Sequence, residues 1–174
     1  MRTCIFICFM AAVLMACTQS SGSNKTDKSE LIIRKQVIEI AEDYVKSKFK
    51  DSEKSVTTNG SIIYSAGDTK CLIDPSNIII GEIDEDSNKD AVVTIFTFQG
   101  QRIPLKDHLI MINKNGKFSI SKELSGEMKF LSISDRTIFI ETSKAAPDSP
   151  FADCKVCKEI NKYKFIAGDT VRIK

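Results

Sequence analysis

The sequence predicts an α+β fold made of one N-terminal helix and a following β-sheet. Two observations support this prediction. A single stretch near the N-terminus has apolar residues at helical spacing, and it is followed by many short β-branched runs separated by turn residues. One helix followed by a series of strands is typical of an antiparallel sheet with its helix on one face.

The predicted helix begins near Ser29 and ends at about Lys50. Asp27 and Glu30 have the spacing of a capping box at its start. Its apolar residues recur every three or four positions and form one stripe: Ile33, Val37, Ile40, Tyr44 and Val45. We expect this stripe to face the core, because one helix must cover the sheet that follows.

Short runs with strand character fill the rest of the chain. They are residues 61–64, 78–83, 91–99, 108–113, 117–121, 129–133, 137–142, 162–167 and 170–173. Turn residues separate several of them, and Asn115-Gly116 is the strongest hairpin signal among these. We therefore expect a curved, mainly antiparallel sheet with the helix on one face, cystatin-like or NTF2-like in outline.

The first 17 residues indicate where the protein is located. Arg2 precedes an uncharged apolar run of about 14 residues, which suits a signal peptide and is short of the roughly 20 needed for a membrane span. The run ends in Leu14-Met15-Ala16-Cys17. This ending resembles bacterial lipoprotein precursors, and the resemblance implies cleavage before Cys17 and acylation of its sulfur.

This interpretation divides the chain into three parts. Residues 1–16 are the signal peptide, 17–29 are the lipidated cysteine with a polar, Ser-rich tether, and 30–174 form a single domain. Acylated Cys17 would hold the domain on a lipid bilayer. Thr18 follows the cysteine where the enterobacterial sorting rule would have Asp for inner-membrane retention. We expect an outer-membrane protein that faces the periplasm.

Composition excludes some classes of partner. The formal net charge of +2 falls to +1 once Arg2 is removed, so no strongly basic surface for nucleic acid is expected. The chain has no Trp and three Tyr, which does not indicate an aromatic platform for carbohydrate.

Three cysteines of the mature chain are candidates for a disulfide: Cys71, Cys154 and Cys157. The cell envelope is oxidising, so one bridge is expected, and all three pairings remain open. A bridge from Cys71 would close a loop of about 80 residues and stabilise by about 4 kcal/mol in the chain-entropy model. The Cys154-x-x-Cys157 spacing also allows a thiol oxidoreductase, although it lies in a late loop and not at the start of a helix.

An acidic segment offers a candidate calcium site. Glu82, Asp84, Asp86 and Asp90 occupy relative positions 1, 3, 5 and 9, the alternation with which a calcium loop points oxygens at one cation. Position 6 is Ser87 where such loops have Gly, and position 12 lacks the bidentate Glu. The alternative is an acidic turn whose side chains bind their own backbone.

No catalytic residue is predicted. His108 is the single histidine, and it directly precedes the apolar run 109–112. No Gly-x-Ser-x-Gly nucleophile elbow accompanies it, so a Ser-His-Asp triad is not indicated. We expect His108 to be a structural residue at the edge of a strand.

Two segments resemble a known group of proteins. GEIDEDSNKDAVV is similar to a Gly-Asp-Leu-Asn-Gly-Asp-Gly-Lys-x-Asp-Ala-Val-Val turn and strand of small exported bacterial proteins, and PDSPFADCKVCKEINKYKF is similar to their C-terminal region. Together with the signal sequence they resemble small envelope lipoproteins of Bacteroides-like bacteria. The resemblance implies a single α+β domain in the envelope and implies no activity.

These observations favour a non-enzymatic, membrane-tethered domain that binds or inhibits a protein or peptide in the periplasm. An immunity protein against a delivered toxin is one concrete version, by analogy. Two alternatives remain: a calcium-stabilised structural lipoprotein that uses the acidic segment, and a thiol oxidoreductase that uses Cys154 and Cys157.

Overall fold

The structure is a computed structural model that describes residues 28–100, 103–143 and 157–173. Helix α1 spans Lys28–Lys48. The strands are β1 (Glu53–Val56), β2 (Ile62–Ala66), β3 (Thr69–Ile73), β4 (Ile79–Gly81), β5 (Asp90–Gln99), β6 (Leu105–Lys114), β7 (Lys117–Ser125), β8 (Met128–Ser134), β9 (Thr137–Ser143), β10 (Lys158–Ile166) and β11 (Asp169–Ile173), with a 3₁₀ turn at Pro75–Asn77 before β4.

The predicted α+β fold with one curved sheet is wrong. The described chain is mostly β, with one α-helix and two antiparallel sheets. Sheet A has the strand order β1-β2-β3-β5-β6-β7, and β4 pairs with the other end of β5. Sheet B has the order β11-β10-β9-β8 and contains the last four strands, which we had expected to extend the first sheet.

Helix α1 covers one face of sheet A. Val37, Ala41 and Val45 are fully buried, and they form one core with apolar residues of the sheet that include Ile73 and Leu109. The predicted helical stripe therefore does face the core. Each Val, Leu or Ile side chain of this core contributes about 1.5–3 kcal/mol when it is removed from water.

Sheet B covers the other face of sheet A. Val92 and Ile110 point away from the helix and form a second core with Phe130, Ile138 and Ile140 of sheet B. This second core explains the correction. Neighbouring residues of β5 and β6 are buried on opposite faces, so a helix on one side leaves an apolar face that a second layer must cover.

The two sheets approach most closely where β4 faces β8. A Cβ added at Gly81 would lie 2.6 Å from the Cβ of Ile133 and 3.0 Å from its carbonyl oxygen. Glycine is therefore required at position 81 by the distance between the sheets.

The C-terminal end of the helix is attached to sheet A by polar contacts. The Lys48 ammonium donates to the Glu123 carboxylate on β7 and lies 4.4 Å from the centre of the Tyr44 ring. The Tyr44 hydroxyl donates to the same carboxylate. Hydrogen bonding to Glu123 raises the pKa of Lys48 against the effect of desolvation, which lowers it.

Element boundaries agree with the sequence patterns in most places. The helix was expected from near Ser29 to Lys50 and spans Lys28–Lys48, so its first two residues belong to the segment predicted as tether. Asn115 and Gly116 both have positive φ, 55° and 83°, and join β6 to β7, which confirms the predicted hairpin. Strands β1 and β3 were not predicted.

The signal peptide (1–16), Cys17 and the tether up to residue 27 lie outside the described residues. Within the part of the chain that the structure describes, no helix has the length and apolar character needed to cross a membrane.

Candidate functional site

An open cleft of about 1260 Å³ lies where three turns meet at one end of the two sheets. We call it the turn cleft. Its lining comes from the acidic loop after β4, the β8–β9 turn and the β10–β11 turn, with Lys114 and Ser121 from sheet A. Apolar side chains also line it: Ile166 is exposed, whereas Ile83 and Ile112 are buried. The cleft is larger than most small-molecule sites, which suits a chain segment.

The hairpin turns on the sheet B side have two residues each with positive φ. Asp135 and Arg136 have φ values of 49° and 57°, and Ala167 and Gly168 have values of 52° and 86°. Two consecutive left-handed residues are the conformation that matches the twist of a tight hairpin. These turns bring Arg136 and the end of β10 to the cleft.

Asp90 holds the acidic loop in place from inside the protein. Its carboxylate has no exposed surface and accepts backbone N–H bonds from Ile83 (2.7 Å), Asp84 (3.3 Å) and Asn113 (2.9 Å). Burial raises the pKa of Asp90, and the three N–H bonds act in the opposite direction. Asp90 therefore connects the loop to the end of β6 and is committed to structure.

Lys114 lies between two carboxylates of the acidic loop. Its ammonium donates to Asp84 and, at 2.9 Å, to Asp86 Oδ2. These bonds raise the pKa of Lys114 and lower that of Asp86. Each aspartate also accepts an N–H bond from the residue two positions on, at 3.1 Å from Asp86 and 3.0 Å from Asn88. This is the geometry of the acidic turn considered as the alternative to a calcium loop.

The four candidate calcium ligands are not gathered around one point. Asp90 binds backbone, Asp84 and Asp86 bind Lys114, and Glu82 is exposed. In the described residues no group of three or more His, Cys, Asp or Glu is placed to hold a metal ion. Ser87, at the position of the expected Gly, has a φ of 62°. Calcium binding stays a prediction, and this arrangement does not favour it.

The cleft has unpaired charges of both signs. Glu82 and Glu85 lie on the acidic-loop side, and Arg136, Lys164 and Asp135 lie on the sheet B side. None of these five takes part in an ion pair among residues 28–100, 103–143 and 157–173. The charges are available to a bound molecule that carries both a basic and an acidic group.

His108 is a core residue and not a residue at a strand edge. It lies inside β6 with no exposed surface, and its ring centroid is 4.9 Å from that of Phe130. Nε2 lies 3.2 Å from the Gly126 carbonyl, which can only accept, so Nδ1 accepts the Thr94 hydroxyl hydrogen at 3.0 Å. Desolvation lowers the pKa of His108.

The three candidate cysteines are in different situations. Cys71 is a free, buried thiol on β3, 3.6 Å from the Thr97 hydroxyl, and burial raises its pKa. Cys157 is disulfide-bonded. Cys154 lies outside the described residues, so a Cys154–Cys157 pair stays a prediction. A buried thiol with a raised pKa is not a reactive nucleophile.

The sequence did not predict which residues form the cleft. The acidic segment was recognised, but nothing local shows that it meets the β8–β9 turn. Their contact depends on sheet B folding back over sheet A, which brings Arg136 and Lys164 near the loop. Comparisons with protein-family models, with curated proteins and with solved structures found no match for this chain.

Proposed function

We propose that this chain is a membrane-anchored lipoprotein whose domain binds a protein or peptide segment in the turn cleft, without catalysing a reaction. One observation carries the proposal. Charges of both signs line one cleft, two glutamates on the acidic-loop side and two cations with Asp135 on the sheet B side, and among the described residues none of them is in an ion pair. The exposed Ile166 adds apolar surface. A polypeptide segment with both signs of charge complements such a surface.

The state of the reactive side chains supports a binding role. His108 is buried with both ring nitrogens hydrogen-bonded, Cys71 is buried with a raised pKa, and Asp90 is enclosed by backbone N–H groups. None of the three lines the turn cleft. The cleft instead offers fixed charges, which give specificity and steer association.

The membrane anchor rests on the sequence. The apolar run after Arg2 and the Leu14-Met15-Ala16-Cys17 ending support acylation of Cys17 and attachment to a bilayer, with the domain in the periplasm. An inhibitor or immunity role would suit a small tethered domain that blocks another protein by occupying its charged surface. This version predicts that cells without the protein lose a competition against neighbours that deliver a toxin. Equal survival of the deleted strain would exclude it.

Crosslinking from inside the cleft tests the binding site directly. A photo-reactive amino acid at Ser121, which is exposed and lines the cleft, should trap a partner in intact cells. The same substitution at Ser55, on the exposed strand β1, is the matched control. A single crosslinked species from position 121 and none from position 55 is the expected result. Identical patterns from both positions would contradict the proposal.

Charge reversal then tests how the cleft recognises its partner. Arg136→Glu should abolish the crosslink from position 121, because it replaces the cation on the sheet B side and keeps a long side chain at the same positive φ. Lys70→Glu makes the same charge change on β3, outside the cleft lining, and should leave the crosslink intact. Restored crosslinking by a complementary reversal in the partner would identify the pairing group.

A further inference from the structure

The outer face of sheet B is a charged and apolar surface that lies mostly outside the turn cleft. Alternation along β10 buries Asn161 and directs Tyr163 into the second core, so Ile160 and Lys162 face outward. Ile160 is 61% exposed, Ile166 51% and Val171 44%. Phe139 of β9 pairs with Lys162, whose ammonium lies 6.0 Å from the ring centre. We define the outer face by five residues: Phe139, Ile160, Lys162, Ile166 and Val171.

The net charge of this face is positive once the carboxylates that form ion pairs, and their partners, are left out. Its carboxylates are Glu141, which pairs with Lys158 at 3.0 Å, and Asp169, which pairs with Lys122 at 3.1 Å. Among the described residues, three lysines of the face have no carboxylate partner: Lys129 and Lys162, which lie outside the turn cleft, and Lys164, which also lines its rim.

The exposed side of helix α1 differs in its charge. Asp43 pairs with Lys46 at 3.5 Å, and Lys35 and Glu39 are also both exposed. Mixed charges give no preference for an anionic surface, whereas lysines interleaved with Ile, Val and Phe match a bilayer surface with anionic headgroups. A protein partner with an acidic patch is the competing occupant, and the lipid anchor proposed at Cys17 favours the bilayer.

The tether allows any face of the domain to reach the membrane. Ten residues separate Cys17 from Lys28, which spans at most roughly 35 Å when extended. The helix and two sheets form three layers with spacings of about 10 Å. The length of the tether therefore does not determine which face of the domain lies on the membrane. The charge and apolarity of each face determine it.

We infer that the outer face of sheet B lies on the anionic lipid surface to which acylated Cys17 anchors the protein. This inference rests on the lipid anchor of the proposed function. It orients the domain with the aliphatic side chains of β10 and β11 at the headgroups and helix α1 away from the bilayer. Part of the cleft rim, Lys164 and Ile166, then lies next to the membrane.

A tryptophan reporter tests this orientation, because the chain has no Trp of its own. The acylated protein carrying Ile160→Trp is reconstituted in vesicles of phosphatidylglycerol with brominated acyl chains, and in matched phosphatidylcholine vesicles. The expected result is blue-shifted, quenched emission in phosphatidylglycerol and little quenching in phosphatidylcholine. Val56→Trp, on exposed strand β1 of sheet A, is the control and should stay unquenched.

Removing lysines should release the face. Lys129→Gln and Lys162→Gln are each combined with Ile160→Trp. Each should lower, by about fivefold, the ratio of anchored protein whose outer face lies on the lipid surface to anchored protein whose outer face does not. Unquenched emission from a vesicle-bound, acylated protein would overturn the orientation and leave the face to a protein partner. A chain that mass spectrometry shows to lack acyl groups, and that does not float with vesicles, would overturn the anchor and the inference together.

Discussion

At the scale of single residues, three side chains of the types that enzymes use in catalysis are buried in this protein. Each has a polar partner within the fold. Asp90 accepts three backbone N–H bonds, His108 has one donor and one acceptor partner, and Cys71 lies beside Thr97. Buried polar groups cost free energy unless they are paired, so these residues contribute to a specific core.

His108 should make stability depend on pH. Desolvation lowers its pKa in the folded state below the ordinary value of 6.5. As pH falls below 6.5, the histidine binds a proton in the unfolded chain but stays neutral in the folded protein. The free energy of unfolding therefore falls by up to about 1.4 kcal/mol per pH unit. The loss continues until the pH reaches the lowered folded-state pKa.

Urea unfolding between pH 5 and 7.5 measures this effect. No other histidine contributes, since the chain has one. His108→Gln should be less stable than the parent at pH 7.5 but should lack the decline below 6.5. Parallel pH profiles for the two proteins would contradict the assignment.

At the scale of elements, the acidic loop is held by one carboxylate. Asp90→Ala leaves the buried N–H donors of Ile83 and Asn113, and the partly buried N–H of Asp84, without their acceptor. We expect a loss of about 2–4 kcal/mol in the free energy of unfolding and a smaller loss for Asp90→Asn, which keeps one oxygen. Hydrogen exchange at the Ile83 and Asn113 amides should accelerate.

Glu85→Gln is the matched control for this change. Glu85 lies in the same loop, is exposed and has no ion pair among the described residues. The free energy of unfolding of the Glu85→Gln protein should therefore differ from that of the parent by less than about 0.5 kcal/mol. Equal effects at positions 85 and 90 would mean that the loop is not anchored through Asp90.

Some elements could be predicted from local pattern and others could not. The helix has a clear 3.6-residue period, and the Asn115-Gly116 hairpin depends on a local backbone preference, so both were found. Strand β1 has the polar sequence EKSV and is exposed throughout, so no burial pattern marks it. It is a strand because it pairs with β2, which is not a property of its own residues.

At the scale of the whole molecule, the second sheet was missed although one signal was present. Residues 109–112 form a continuous apolar run in the sequence, and in β6 all four are buried. A continuous apolar run indicates a strand that is covered on both faces, and one helix can cover only one face. The cleft could not be predicted, because it forms only when turns from the two sheets meet.

Gly81 tests the contact between the two sheets. Gly81→Ala places a methyl group against the Ile133 side chain and its backbone, and neither β4 nor β8 can move without disturbing the second core. We expect a loss of about 1–3 kcal/mol in the free energy of unfolding. Ser119→Ala, an exposed position on β7, should change it by less than about 0.5 kcal/mol. Equal stability of Gly81→Ala and the parent would show that the sheets are not in close contact there.

The order of the two sheets along the chain has a consequence for biosynthesis. Every strand of sheet A is complete at Ser125, before the first residue of sheet B at Met128. In the proposed export the domain emerges into the periplasm from its N-terminal end, so the face of sheet A with Val92, Ile110 and Ile112 is complete before its cover exists. The emerging chain therefore passes through a stage with an uncovered apolar sheet, which is a stage at which a chaperone would bind it.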